Sequence, residues 1–322
     1  MTVSRGKLLE SNCCACRRRG DAVVARTGSR GDPVESAAAP TGAGSPTALR
    51  ILLGARLRRL REAKQISPDQ AGYVIRASHS KISRLETGRV GFKDRDVADL
   101  LTLYGVTDEA EREEIRALAS RANSPGWWHD YSDMLAGWFE EYLGLEEAAV
   151  SIRTYEAQLV PGLLQTEDYA RAVILLEYSN PKEINRRTSL RIARQAILSR
   201  PEPTSLWAVI DEAALKRPMG GVRVMRAQLQ HLIDVAQQPN VTIQIIPFAA
   251  GGHAAAGGSF SVLNFAEDDL PDMVYLEQLA SAQYLDRPDV VATYLQVLER
   301  LRVEALTPAD SLKTLRTTLR EI

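Results

Sequence analysis

Residues 67–88 read SPDQAGYVIRASHSKISRLETG. The start, Ser67-Pro68-Asp69-Gln70, combines an N-cap serine, a proline at the first helical position and a glutamine at the third. This predicts a helix running to about Ile75. Arg76-Ala77-Ser78 then forms a short break, from which Ser78 caps a second helix, His79 to about Thr87, closed by Gly88. Helical spacing turns Ile82 and Leu85 inward and leaves His79, Ser80, Ser83 and Arg84 on the other side. Two short helices joined by a tight turn form a helix-turn-helix. In such a unit the second helix enters the major groove of double-stranded DNA and offers its N-terminal side chains to base edges.

The flanks extend this pattern. Upstream, Leu49, Leu53, Leu57 and Leu60 recur at helical spacing with Arg56, Arg58, Arg59 and Arg61 between them, which predicts a basic first helix. Downstream, Lys93–Tyr104 and Thr107–Asn123 give two more helices. The last has Asp108, Glu109 and Glu111 at its positive end. Residues 48–123 are therefore expected to form a five-helix, mainly α DNA-binding domain. Ser124-Pro125-Gly126 marks its boundary.

Residues 1–47, rich in Gly, Ala, Ser, Pro and Arg, read as a disordered basic tail. Residues 124–322 read as a larger α+β domain for regulation or dimerisation. Its aromatic stretch at 127–142 suggests a core or a pocket. Helices are expected at about 166–177, 182–199, 222–236 and 289–303, and again from Thr307. Strand-like runs cover Ser205–Ile210, Val241–Phe248, Ser259–Phe265 and Met273–Leu276. The small-residue segment Ala249–Gly258 reads as a hairpin loop or a ligand lid. Arg186, Arg187, Arg191 and Arg194 read as a solvated basic helix face.

The chain has 322 residues, 45% of them hydrophobic and 25% charged, an ordinary globular mixture. No run of 18 or more apolar residues occurs, so no membrane span is expected, and no secretory h-region is present, which points to the cytoplasm. The net charge of −1 conceals a distribution of +3 over residues 1–47, +7 over 48–90, −3 over 91–123 and −8 over 124–322. A basic segment between acidic ones fits local contact with a polyanion. Cys13, Cys14 and Cys16 cluster in the tail without a fourth ligand, so neither a metal nor a cofactor is expected. G-x-S-x-G, H-E-x-x-H and phosphate-loop patterns are absent, and no enzyme is expected.

Residues 53–89, with SKISRLETG as the most diagnostic part, closely resemble the helix-turn-helix of XRE-type, phage repressor-like transcriptional regulators. The segments SPGWW, TYEAQLVPGLLQTEDYARAVI, RQAIL and GGHAAAGGSFSVLNF resemble the long C-terminal domain of actinobacterial members, the WhiJ-like group. The resemblance covers about residues 50–300. It implies that His79, Ser80, Ser83 and Arg84 face base edges. It places Ser67, Lys81, Arg89 and Lys93 against phosphates, and makes Arg61 and Glu86 a structural pair. It also implies a homodimer on a palindromic operator and an antitoxin-like pairing with a small neighbouring protein. The alternatives are a protein-interaction module, or a small-molecule sensor or enzyme fused to the helix-turn-helix. Two positions depart from the family. Arg76 stands where glycine is usual, so it must accept a positive φ or the turn must adjust, and Gly72 stands where alanine is usual, each at a cost of about 1 kcal/mol.

Overall fold

The computed structural model describes residues 44–267 and 269–322. Most of the tail, with Cys13, Cys14 and Cys16, lies outside the described residues. The N-terminal region consists of α1 (Pro46–Ala63), α2 (Pro68–Val74), α3 (His79–Glu86), α4 (Asp94–Leu103) and α5 (Glu109–Ala122). The capping chemistry read from the sequence is in place. Ser67 Oγ accepts the Gln70 N–H while Gln70 Oε1 accepts the Ser67 N–H, and Ser78 Oγ accepts the Lys81 N–H. The first helix starts at Pro46, inside the stretch read as tail, because proline suits a first helical position and Ser45 and Thr47 are buried.

One core holds the five helices together. Leu53, Leu57, Ala71, Ile82, Leu85, Val97, Leu101, Tyr104 and Ile115 are all buried in it. At about 1.5–3 kcal/mol for each large apolar side chain, this cluster dominates the stability of the unit. Two glycines allow α1 and the end of α3 to meet at backbone distance. A Cβ on Gly54 would lie 2.5 Å from the Leu85 carbonyl oxygen, and one on Gly88 (φ +70) would lie 2.7 Å from the Ile51 nitrogen.

The C-terminal region is α+β. A one-turn-and-more 3-10 segment, Trp127–Met134, leads into α6 (Gly137–Ala148) and β1 (Ser151–Glu156). Then come α7 (Glu167–Ile174), α8 (Pro181–Ala193), β2 (Ser205–Asp211), α9 (Glu212–Lys216), α10 (Val222–Val235) and β3 (Val241–Ile246). The chain ends with β4 (Phe260–Asn264), β5 (Met273–Glu277), β6 (Ala282–Leu285), α11 (Pro288–Glu304) and α12 (Pro308–Glu321). Among the described residues the strands form one sheet in the order β3-β2-β1-β4-β5-β6. Strands β1, β2 and β3 are parallel, whereas β4, β5 and β6 pair antiparallel in succession from β1 outward. One face packs on α6, α7, α10 and α12 through residues such as Tyr142, Tyr169, Leu229 and Leu315. The other packs on α11 through Val291, Leu298 and Leu301.

Several expectations change. β3 and β4 are separated by β2 and β1, so Ala249–Gly258 is no hairpin loop. It belongs to a connection that crosses the carboxyl ends of the parallel strands. The aromatic stretch is core: Trp128 packs with Leu143 and Leu190, and Tyr142 stacks on Tyr275 at 4.1 Å between centroids. Helix α6 also carries the N-terminal region. Gly144 faces Thr47 so closely that a Cβ there would overlap it, and Ile51 of α1 packs on the core beneath the sheet.

Candidate nucleic-acid interface

Helix α3 has two clearly different faces. Ile82 and Leu85 are buried, while His79, Ser80, Ser83 and Arg84 are all exposed. Arg84 Nε donates to the Ser80 carbonyl at 3.3 Å, which lays its side chain along the outer face of the helix. That contact leaves the two Nη groups without a protein partner among the described residues. The side chains expected at base edges therefore share one surface.

The structural pair is also formed. Arg61 donates to both Glu86 oxygens at 2.6 and 2.9 Å and to the Ile66 carbonyl at 2.8 Å. Both side chains are at most 8% exposed. This fork ties the end of α1, the turn before α2 and the end of α3 together. Tyr104 packs close by, and burial with the neighbouring Glu86 carboxylate holds its hydroxyl well above the usual phenol range.

The basic charge is distributed differently from the expectation. Arg56 binds Glu111 and Glu114, Arg58 binds Glu62, and Arg59 binds Asp269. Much of the positive charge of α1 is thus matched within the protein. Lys81, expected at a phosphate, is 2.6 Å from Asp96 and joins α3 to α4. Ser67, also expected at a phosphate, uses its N–H and an Oγ lone pair in the capping box and keeps only its hydroxyl proton as a donor. Arg76, Arg84, Arg89 and Lys93 are exposed, and none has a carboxylate within 4 Å among the described residues. They lie on α3 and at the turns on either side of it. Arg76 is the cation that the reading of the turn missed, because only its backbone cost was considered.

The turn itself explains one departure from the family pattern and shows the strain of the other. Arg76 has φ +54, a left-handed conformation that a side chain disfavours. The Ala77 N–H donates to the Gly72 carbonyl at 2.7 Å. A Cβ on Gly72 would stand 2.6 Å from the Ala77 oxygen. Glycine at 72 is thus required by the closeness of the turn, which corrects its reading as a weak helix position.

The arginines of α8 and the residues after it are engaged by partners within the protein rather than left as a free basic face. Arg186 forms two 2.6 Å hydrogen bonds to Asp133. Arg187 lies 3.8 Å from the Tyr178 ring centroid and pairs with Glu183. Arg194 makes a buried bidentate pair with Glu146 at 2.7 and 2.8 Å. His253, which lacks a partner nearby in sequence, gains two from the fold. Its Nε2 is 3.2 Å from the Tyr155 hydroxyl and 3.7 Å from Asp211 Oδ2. Burial and Asp211 push the Tyr155 hydroxyl up to about 12. Among the described residues no cluster of His, Cys, Asp and Glu is arranged to hold a metal. No described helix is long and apolar enough to cross a membrane.

Residues 52–115 match the family described as helix-turn-helix domain. Residues 139–317 match the family described as domain of unknown function DUF5753. No curated protein and no solved structure matches the chain.

Proposed function

From the premise that the chain belongs to the DUF5753 family and carries a helix-turn-helix domain ahead of that region, we propose that it is a sequence-specific transcription regulator of the XRE type and the WhiJ-like group. It acts in the cytoplasm by binding rather than by catalysis. Helix α3 enters the major groove, with His79, Ser80, Ser83 and Arg84 at base edges. Arg76, Arg89 and Lys93 meet the flanking phosphates. The protein binds as a homodimer whose two copies of α3 read the halves of a palindrome about one helical turn apart.

The observation that carries this reading is the clustering of unmatched cations around the polar face of α3, while the cations of α1 are matched internally. The test is selection of binding sites from random duplex DNA with wild type beside Arg84→Ala. A palindromic motif that relaxes in the variant supports the reading. Enrichment that is identical for both proteins, or absent for both at moderate salt, refutes the assignment of Arg84.

A further inference from the structure

The carboxyl ends of β1, β2 and β3 lie along one edge of the sheet, and β5 runs parallel to them because both it and β1 are antiparallel to β4. The sheet switches direction between β1 and β4: the first connections build outward to β2 and β3, and the chain then returns to the other side of β1. Crevices outside the carboxyl ends of strands at such a switch are where open α/β sheets take ligands. Here the edge carries Glu156 at the end of β1 and Glu277 at the end of β5, and both act by charge on Arg191 of α8.

The charges at this edge do not cancel. Arg194 is fully matched by Glu146. Arg191, one turn earlier, has only Gln165 Oε1, at 3.0 Å, and no carboxylate within 4 Å among the described residues. Gln165 is itself fixed, donating to the Val160 carbonyl at 2.8 Å and accepting at its main-chain oxygen from Gln195 at 2.7 Å. Glu156 has no basic partner within 4 Å among the described residues either. Arg191 and Glu156 are each half-buried. Each feels the other's field without touching it. Burial pushes Glu156 up to about 7, with Glu277 adding to the rise, and burial with Arg194 beside it brings Arg191 down to about 10.

The core behind these charges is aromatic. Tyr142 stacks on Tyr275, whose hydroxyl donates to Glu277 Oε2 at 3.0 Å, and the Arg194 guanidinium lies over the Phe139 and Tyr142 rings. An arginine on one side and two carboxylates on the other define the complement. A bare anion small enough to reach Arg191 meets two carboxylates, and a bare cation meets an unmatched guanidinium. A compact molecule with both charges satisfies both sides.

We propose that this edge, between Arg191 on one side and Glu156 and Glu277 on the other, binds a small amino-acid-like zwitterion. The carboxylate of the ligand lies on Arg191 and its ammonium on the two glutamates. The site lies in the DUF5753 region and stands whether or not the reading of α3 holds.

The test is thermal melting and calorimetric titration of the full chain with each standard amino acid in turn. Acetate and ethylamine serve as probes carrying one charge each, and Arg191→Gln and Glu156→Gln are the variants. At least one amino acid is expected to raise the melting temperature saturably, with acetate and ethylamine inert. Each variant should weaken that binding by about ten- to a hundredfold, the size of one charge-assisted hydrogen bond. Glu156→Gln should also melt no lower than wild type in the absence of ligand, because it removes a confined charge without a direct ionic partner. Glu277→Gln is read in place of either variant that fails to fold. The proposal is overturned if no standard amino acid binds, if acetate binds as well as the amino acids do, or if binding survives the folded variants.

Discussion

Arg59, on the first helix of the helix-turn-helix domain, forms a two-point ion pair with Asp269 in the turn between β4 and β5. The second of its hydrogen bonds measures 2.7 Å. This pair links the DNA-binding region to the sheet at a point 210 residues away in sequence. Arg56 and Leu52 of α1, Leu118 of α5 and Glu267 line the same junction. Strand β5 continues from this turn to Glu277, at the opposite end of the sheet.

Replacing Asp269 by alanine tests what the pair does. Both partners are about half exposed, so the loss in stability is expected to be small. The variant leaves Arg59 as an unmatched cation on α1. If this face of α1 comes near the backbone of bound DNA, non-specific affinity rises and the slope of log K against log salt steepens by up to about one unit. Titration of a random duplex at several salt concentrations reads this directly. An unchanged slope would place Arg59 away from DNA and leave the pair a purely structural link.

Gly72 and Arg76 should respond to substitution in opposite ways. Helix propensity alone makes Gly72→Ala stabilising by about 1 kcal/mol. The 2.6 Å approach to the Ala77 oxygen reverses the sign, and a net loss of about 1–3 kcal/mol is expected from overpacking. Arg76→Gly relieves a left-handed φ of +54, offset in part by the greater freedom of glycine in the unfolded chain, so melting should stay level or rise slightly. The same change removes a cation next to α3, and the salt slope of DNA binding should fall by about one unit. Chemical denaturation of both variants beside wild type separates the two effects. A stabilised Gly72→Ala would show that the turn yields.

The contrast at residue 72 also shows where sequence reading stopped. The five N-terminal helices, the caps of α2 and α3 and the exposed face of α3 were legible because capping boxes and helical spacing are local signals. Four of the six strands were legible for the same reason: alternating apolar runs stand out by themselves. Strand Ser151–Glu156 was missed because Arg153 and Thr154 interrupt its apolar pattern, and Ala282–Leu285 because it is a short edge strand. The matching of Arg56, Arg59 and Lys81 by Glu111, Asp269 and Asp96 depends on contacts across elements. So does the gathering of Arg191, Glu156 and Glu277. No spacing rule announces either, and a charge count over residues 48–90 overstates the positive surface for that reason.

Arg61 and Glu86 give a sharper stability prediction. Each is nearly buried, so removing one partner leaves the other desolvated. Arg61→Ala is expected to cost about 3–5 kcal/mol. The loss also frees the Ile66 carbonyl and loosens the turn before α2, so DNA binding should fall together with stability. A double-mutant cycle with Glu86→Ala should show that the second change costs far less once the first is made. Independent, additive losses would mean that the two side chains contribute through packing with other neighbours.

Glu147, near the end of α6, sets a pH dependence. One of its carboxyl oxygens is buried without a hydrogen-bond partner among the described residues, and burial pushes the group up to about 7 against a weaker opposing pull from Arg200. The folded protein therefore holds a proton that the unfolded chain, with an ordinary glutamate value near 4.5, has already released. Across this window the folded state binds more protons, so stability falls as pH rises from the unfolded value toward about 7 and levels off above it. Glu156 acts in the same direction over the same window. Glu147→Gln removes one of these contributions. It should raise the melting temperature most near about pH 8, where the wild-type carboxylate is charged, and least near about pH 5, where it is mostly protonated in the fold. Melting curves for both proteins at these two values decide the matter, and a gain of equal size at both would show that Glu147 is not the titrating group.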